Sequence, residues 1–156
     1  DSVTLITGKT LPYLALSLLA TALILATAWA LFGVAVRGSL LDLLAATLLY
    51  LLGALGFGLL ISTLVNSQAL AFQIGLLGSL LPALLLSGFV FQIRLMPAWL
   101  QALTYLVPAR YYLVILRGII LKGAGLAPYW DQLGWLALYG LATLGLAALR
   151  MSRGED

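Results

Sequence analysis

The sequence has no cysteine and no histidine, and its charge is confined to eight basic and five acidic residues among 156. Without cysteine, neither a disulfide nor a thiolate metal site can form. Without histidine, the commonest general base and metal ligand are gone. That removes the Ser-His-Asp triad, the H-E-x-x-H zinc site and an intramembrane Ser-His pair. No G-x-x-x-x-G-K-[ST] loop occurs either, so the chain reads as a non-enzyme that does not itself hydrolyse ATP by the P-loop route. The charges sit singly rather than in runs, which leaves no footprint for nucleic acid. The chain opens at Asp1 with no charged leader or cleavage site before the first apolar run. No signal peptide is therefore read, and the start without Met suggests a fragment or a processed chain.

Apolar side chains dominate what remains. Hydrophobic residues make up 63% and charged residues 8%, against about 45–50% and about 25% in soluble domains. So few charges cannot coat a water-facing surface of this size, and lipid becomes the solvent for most of it. A spanning helix needs roughly 20 mostly apolar residues. Four stretches meet this: about 11–36, 40–65, 69–91 and 130–149. No charge occurs between Leu43 and Ile93, too long a run for one crossing. Asn66-Ser67-Gln68 is its most polar point and predicts a tight turn between two antiparallel spans. The apolar runs are continuous and rich in Leu and Ala, which favours helices over the alternating strands of a barrel. The predicted fold is an all-α integral membrane protein with four spans.

The stretch 92–128 differs. It holds Arg94, Arg110, Arg117 and Lys122 together with Pro97 and Pro108. Pro97 suits a first helical position, a short helix runs to about Leu106, and Pro108 stops it. A second piece, Tyr111 to Leu121, ends at Lys122-Gly123. Each is too short to cross, so they read as a re-entrant or interfacial pair between the third and fourth spans. Arg110 and Arg117 are seven apart and share a helix face.

Several residues invite a functional reading beside a plainer one. Arg94, Arg110 and Arg117 suit an anionic head group or acidic cargo, or simple interfacial snorkelling. Asp42 is the one acid inside an apolar run; it reads as an interfacial partner of Arg37 or as an intramembrane cation or proton site. Gln68 and Gln73, with Asn66, serve turn chemistry and interhelical hydrogen bonding or else contact a partner or cargo. Pro82 should kink the third span, statically or as a gating hinge. Ala54/Gly58 and Gly75/Ser79 give the four-residue spacing that lets helices approach, within the chain or across a dimer. Trp99, Tyr105, Tyr111, Tyr112, Tyr129, Trp130 and Trp135 suit an interfacial aromatic belt.

An ordered set of stretches carries a family likeness. Gly8-Lys9-Thr10-Leu11-Pro12-Tyr13 is followed by Leu31-Phe32-Gly33-Val34, Arg37-Gly38-Ser39-Leu40 and Gly58-Leu59-Leu60-Ile61-Ser62-Thr63. Then come Leu85-Leu86-Ser87-Gly88-Phe89-Val90-Phe91, Arg94 with Met96-Pro97-Ala98-Trp99, Pro108, and Arg117-Gly118 through Gly125. In this the chain resembles the C-terminal portion of ABC-2 type transporter permeases of the multidrug and antibiotic efflux-like subgroup. It departs from the pattern at Gln92, where the family often has Pro, and at Val107, where a polar residue often precedes the Pro. The resemblance implies the last four of six spans, with the coupling helix that touches the ATPase upstream of Asp1. It implies a permease that exports cargo, possible drugs or other amphipathic compounds among it. ATP and Mg would be bound by a separate ABC ATPase subunit, with no cofactor on this chain. A second permease copy, identical or not, would be the other partner, in the bacterial cytoplasmic (inner) membrane.

Topology separates charge from resemblance. Lys9, Arg150 and Arg153 lie on the terminal side, and Arg37, Arg94, Arg110, Arg117 and Lys122 on the other. Counting basic residues puts the termini outside. The resemblance puts both termini in the cytoplasm, and re-entrant arginines are poor reporters of side, so the resemblance is followed. The rival functions are a small non-transporting helical scaffold, and a channel or secondary transporter.

Overall fold

The computed structural model describes residues 2–153, and they form helices and connecting turns with no strand among them. Helix α1 (Ser2–Phe32) runs through Pro12 without ending there, nine residues earlier than the apolar run at Leu11 suggested. It closes at Gly33, whose φ of +64° is the left-handed conformation that stops helices. Helix α2 (Leu40–Leu64) and helix α3 (Gln68–Leu85) flank the short turn 65–67. A 3-10 turn (Ile93–Leu95) precedes α4 (Ala98–Thr104), α5 (Pro108–Lys122) and α6 (Trp130–Arg153). Four of these elements are long and apolar enough to cross a membrane, and α4 and α5 form a pair bent by 79°. The chain is a multi-pass membrane protein.

Three proline readings need correction. Pro97 stands just before α4 as its N-cap, and Pro108 opens α5. Pro82 was placed mid-span because the third apolar run continues to Phe91. The helix ends at Leu85, so Pro82 lies in its last turn, and its carbonyl accepts the Leu86 amide at 2.8 Å. Apolar sequence continues past the helix because Gly88, at φ +86°, leaves helical geometry. Pro82 therefore stands near the C-terminal end of α3 rather than in its middle.

The core lies where α2, α5 and α6 meet. Tyr111, Ile115 and Ile119 recur every four residues along α5 and pack on Leu43 and Ala46 of α2 and Leu136 of α6. Ile115 and Ile119 have no exposed surface, so one face of α5 is packed into the helical core. Helices α2 and α6 share the most extensive contact. Gly53 and Gly56 allow it: a Cβ on Gly53 would sit 2.8 Å from the Tyr139 ring, and one on Gly56 2.5 Å from Thr143 Oγ1. Helices α1 and α3 are peripheral, and α3 buries no residue.

The 33–39 connection is moulded onto the end of α5. The Arg37 and Gly38 amides donate to the Ile120 and Ile119 carbonyls at 3.3 and 2.9 Å, satisfying acceptors that a helix end leaves open. Gly123, at φ +67°, closes α5 against the Arg37 backbone. This contact puts the α1–α2 loop and the C-terminal end of α5 at the same end of the bundle.

Candidate functional site

Two grooves meet at the C-terminal end of α3, and both are lined in part by Pro82 and Leu86. The first is a cleft of about 530 Å³ between α2 and α3, roofed by the α4–α5 elbow. Its walls carry Ala54 and Gly58 from α2, Gly75 and Ser79 from α3, and Leu103 and Val107 from the elbow. No atom lies within 4 Å of where a Cβ on Gly58 or Gly75 would stand. The four-residue pairs therefore do not draw α2 and α3 together; they widen the space between them. Gly53 and Gly56 are the glycines that seat helix on helix. The helix periodicity separates the two sets, since 53 and 56 face α6 while 54 and 58 face the cleft. The second groove, about 570 Å³, lies between α3 and the segment 91–100.

The elbow is held by Arg110, Tyr105 and Tyr111, which the sequence offers for other roles, together with Thr104, which it does not single out. Thr104 is fully buried, and its hydroxyl accepts from the Arg110 guanidinium. Arg110 also stacks over the Tyr105 ring, 3.9 Å from its centroid. The Tyr111 hydroxyl donates to the Tyr105 carbonyl at 2.6 Å. On the other side of α5, Tyr112 stacks on Tyr50 with centroids 4.5 Å apart, and its hydroxyl hydrogen-bonds Thr47 at 2.9 Å. Tyr111, Tyr112 and Tyr129 thus serve packing rather than an outer belt, with Tyr129 lying over Gly118. Trp99, Tyr105 and Trp130 are exposed as a belt requires. The signal was available: Tyr111 falls on the apolar stripe of α5 with Ile115 and Ile119.

The three arginines have separate partners. Arg110 is tied to Thr104 and Tyr105. Exposed Arg117 donates to the Gly88 carbonyl at 3.1 Å, joining α5 to the end of α3. Exposed Arg94 donates through Nε to Gln92 Oε1 at 2.9 Å. Asp42 sits in the first turn of α2, where the helix dipole favours an acid. The expected Asp42–Arg37 ion pair does not form among the described residues. Arg37 is spent through its backbone on α5, and the Asp42 carboxylate lies beside Gly125 instead. Gln68 and Gln73 are exposed on the first turns of α3, at the end away from the elbow. No cluster of three or more acidic side chains able to hold a metal occurs among the described residues.

The family model described as ABC-2 type transporter matches residues 2–121. The chain belongs to the ABC-2 type transporter family. The Escherichia coli K12 protein named probable multidrug ABC transporter permease YbhS is 45% identical over 115 residues, 74% of this chain and 30% of that protein. The E. coli K12 protein named probable multidrug ABC transporter permease YbhR is 40% identical over 147 residues, 94% of this chain and 39% of its own length. This ABC-2 chain therefore spans about a third of the curated relatives it matches. No solved structure matches it. The family match covers α1 to α4 and nearly all of α5, so it takes in both grooves apart from Tyr139 of α6.

Proposed function

We propose that this chain forms the last four spans of a permease subunit that exports amphipathic, drug-like compounds, driven by ATP hydrolysed on a separate ABC ATPase. ATP and Mg are bound there, not on this chain. Two permease copies pair in the bacterial inner membrane, with both ends of this stretch cytoplasmic. The observation that carries the reading is the family match across the helices that build the cleft. The relatives' names supply the drug-like cargo class for those proteins.

The cleft geometry agrees with it. Its volume of about 530 Å³ falls within the range of about 300–1,000 Å³ that small-molecule sites occupy. It is apolar apart from a few hydroxyl groups, Ser79, Tyr50 and Tyr139 among them. Such a surface holds an amphiphile by burial and orients it by few polar contacts. Differential ATPase contact with two arrangements of the spans would supply the work of transport.

Copurification of the full-length permease with an ATPase, followed by a screen for cargo-stimulated hydrolysis, tests the reading. Stoichiometric copurification with hydrolysis raised by hydrophobic cations or dyes is the expected result. A full-length protein that binds no ATPase, or that moves cargo without ATP, overturns it.

A further inference from the structure

The second groove has a chemistry of its own. It runs along α3 from Leu77 past Leu81 to Leu85 and is walled opposite by Leu95 and Leu100. Eight residues of helix from Leu77 to Leu85 give it a length of about 12 Å. Its lining is apolar except for Gln92, and Gln92 Oε1 is the atom that receives the Arg94 Nε–H. Arg94 therefore stands at the rim with its terminal guanidinium nitrogens turned to no partner among the described residues. Helix α3 has 18 residues, about 27 Å of rise, close to the thickness of about 30 Å of a bilayer's hydrocarbon core. With α3 crossing that core, Leu77 lies within the acyl region and Arg94, beyond its outer end, at the level of the head groups.

We infer that this groove is a binding site for one acyl chain of an anionic phospholipid, whose phosphate is held by Arg94. The distribution of chemistry is that of a lipid: hydrocarbon below, one charge above. The sign is set by the whole cap. Between Gln92 and Pro128 the sequence contains four basic residues and no acidic one. Arg110 and Arg117 each bind the protein through a terminal nitrogen, whereas Arg94 uses only Nε, so its terminal pair can meet a phosphate bidentately. The groove shares Pro82 and Leu86 with the cleft between α2 and α3, while Gln92, Leu95 and Leu100 line this groove alone.

The test uses the full-length permease with its ATPase in nanodiscs of equal parts phosphatidylglycerol and phosphatidylethanolamine, with retained lipid counted by native mass spectrometry. One basic residue near a membrane surface contributes about 1 kcal/mol toward anionic lipid, which is about a fivefold preference. Arg94→Gln is expected to lose about that factor in retained phosphatidylglycerol over phosphatidylethanolamine, and Arg94→Lys to keep most of it. Leu81→Trp, which fills the groove, is expected to reduce retention of both lipids. A photo-crosslinking side chain at position 81 should label lipid. An unchanged lipid ratio in Arg94→Gln overturns the proposal, as does a crosslink to polypeptide, which would mean that another helix occupies the groove.

Discussion

Arg117 on α5 donates a hydrogen bond to the backbone carbonyl of Gly88, 3.1 Å away, just past the end of α3. It is the long-range hydrogen bond that ties the otherwise loosely held third span to the core helix α5. A carbonyl beyond a helix end needs a donor, and the cationic one binds about twice as strongly as a neutral one.

Arg117→Ala should leave folding nearly intact, because the residue is exposed and screened, while lowering cargo-stimulated ATPase activity by releasing α3. Parallel measurements of detergent-solubilised melting temperature and hydrolysis decide it. A large fall in melting temperature with unchanged coupling contradicts this assignment.

Arg110→Ala should behave in the opposite way. It strips the donor from the Thr104 hydroxyl, which has no exposed surface, and removes the stack on Tyr105. The Thr104 hydroxyl keeps its bond to the Gln101 carbonyl but loses a charge-assisted one, worth about 1.5–3 kcal/mol, so the variant should melt below Arg117→Ala. Equal melting temperatures for the two would show that Arg110 is not a structural clamp.

The glycines of α2 provide a matched pair. Gly56→Ala pushes a methyl group to within 2.5 Å of Thr143 Oγ1 and 3.1 Å of the Leu144 amide nitrogen. Backbone cannot yield cheaply, and overpacking of this kind costs about 1–3 kcal/mol. Gly58→Ala meets nothing within 4 Å and removes a flexible residue from a helix, so stability should hold or rise slightly. Monodispersity and thermal melting of the two variants, side by side, are the measurement.

Enlarging Gly75 or Ser79 tests the cleft. Gly75→Leu and Ser79→Phe point bulk into the space between α2 and α3 and should abolish cargo stimulation while sparing basal hydrolysis. Full cargo stimulation in both variants would mean that cargo takes another route.

Much of the fold was legible because lipid imposes one simple requirement, long apolar helices with internally satisfied backbone. The turn at Asn66-Ser67-Gln68 and the helix stop at Lys122-Gly123 stood out as polarity or glycine against an apolar background. The end of α3 did not. Apolar composition extends from Leu85 through Phe91, and only the backbone shows the chain leaving the helix near Gly88. Hydropathy measures solvent, not backbone angle. The site was less legible for a related reason. Arg94, Arg110 and Arg117 look alike as letters, yet one is clamped, one bridges and one bonds only a near neighbour, and the difference rests on Thr104, Tyr105, Gly88 and Gln92. Those partners are far more ordinary residues than arginine in such a sequence. The Asp42–Arg37 pairing is not realised: the Asp42 carboxylate lies beside Gly125 instead.

The peripheral position of α3 has a mechanical consequence. A rod that buries no side chain of its own gives up acyl-chain contacts and regains others when it tilts, so the displacement itself costs little. The resistance then resides at its two ends, in the 65–67 turn and in the Arg117–Gly88 bond.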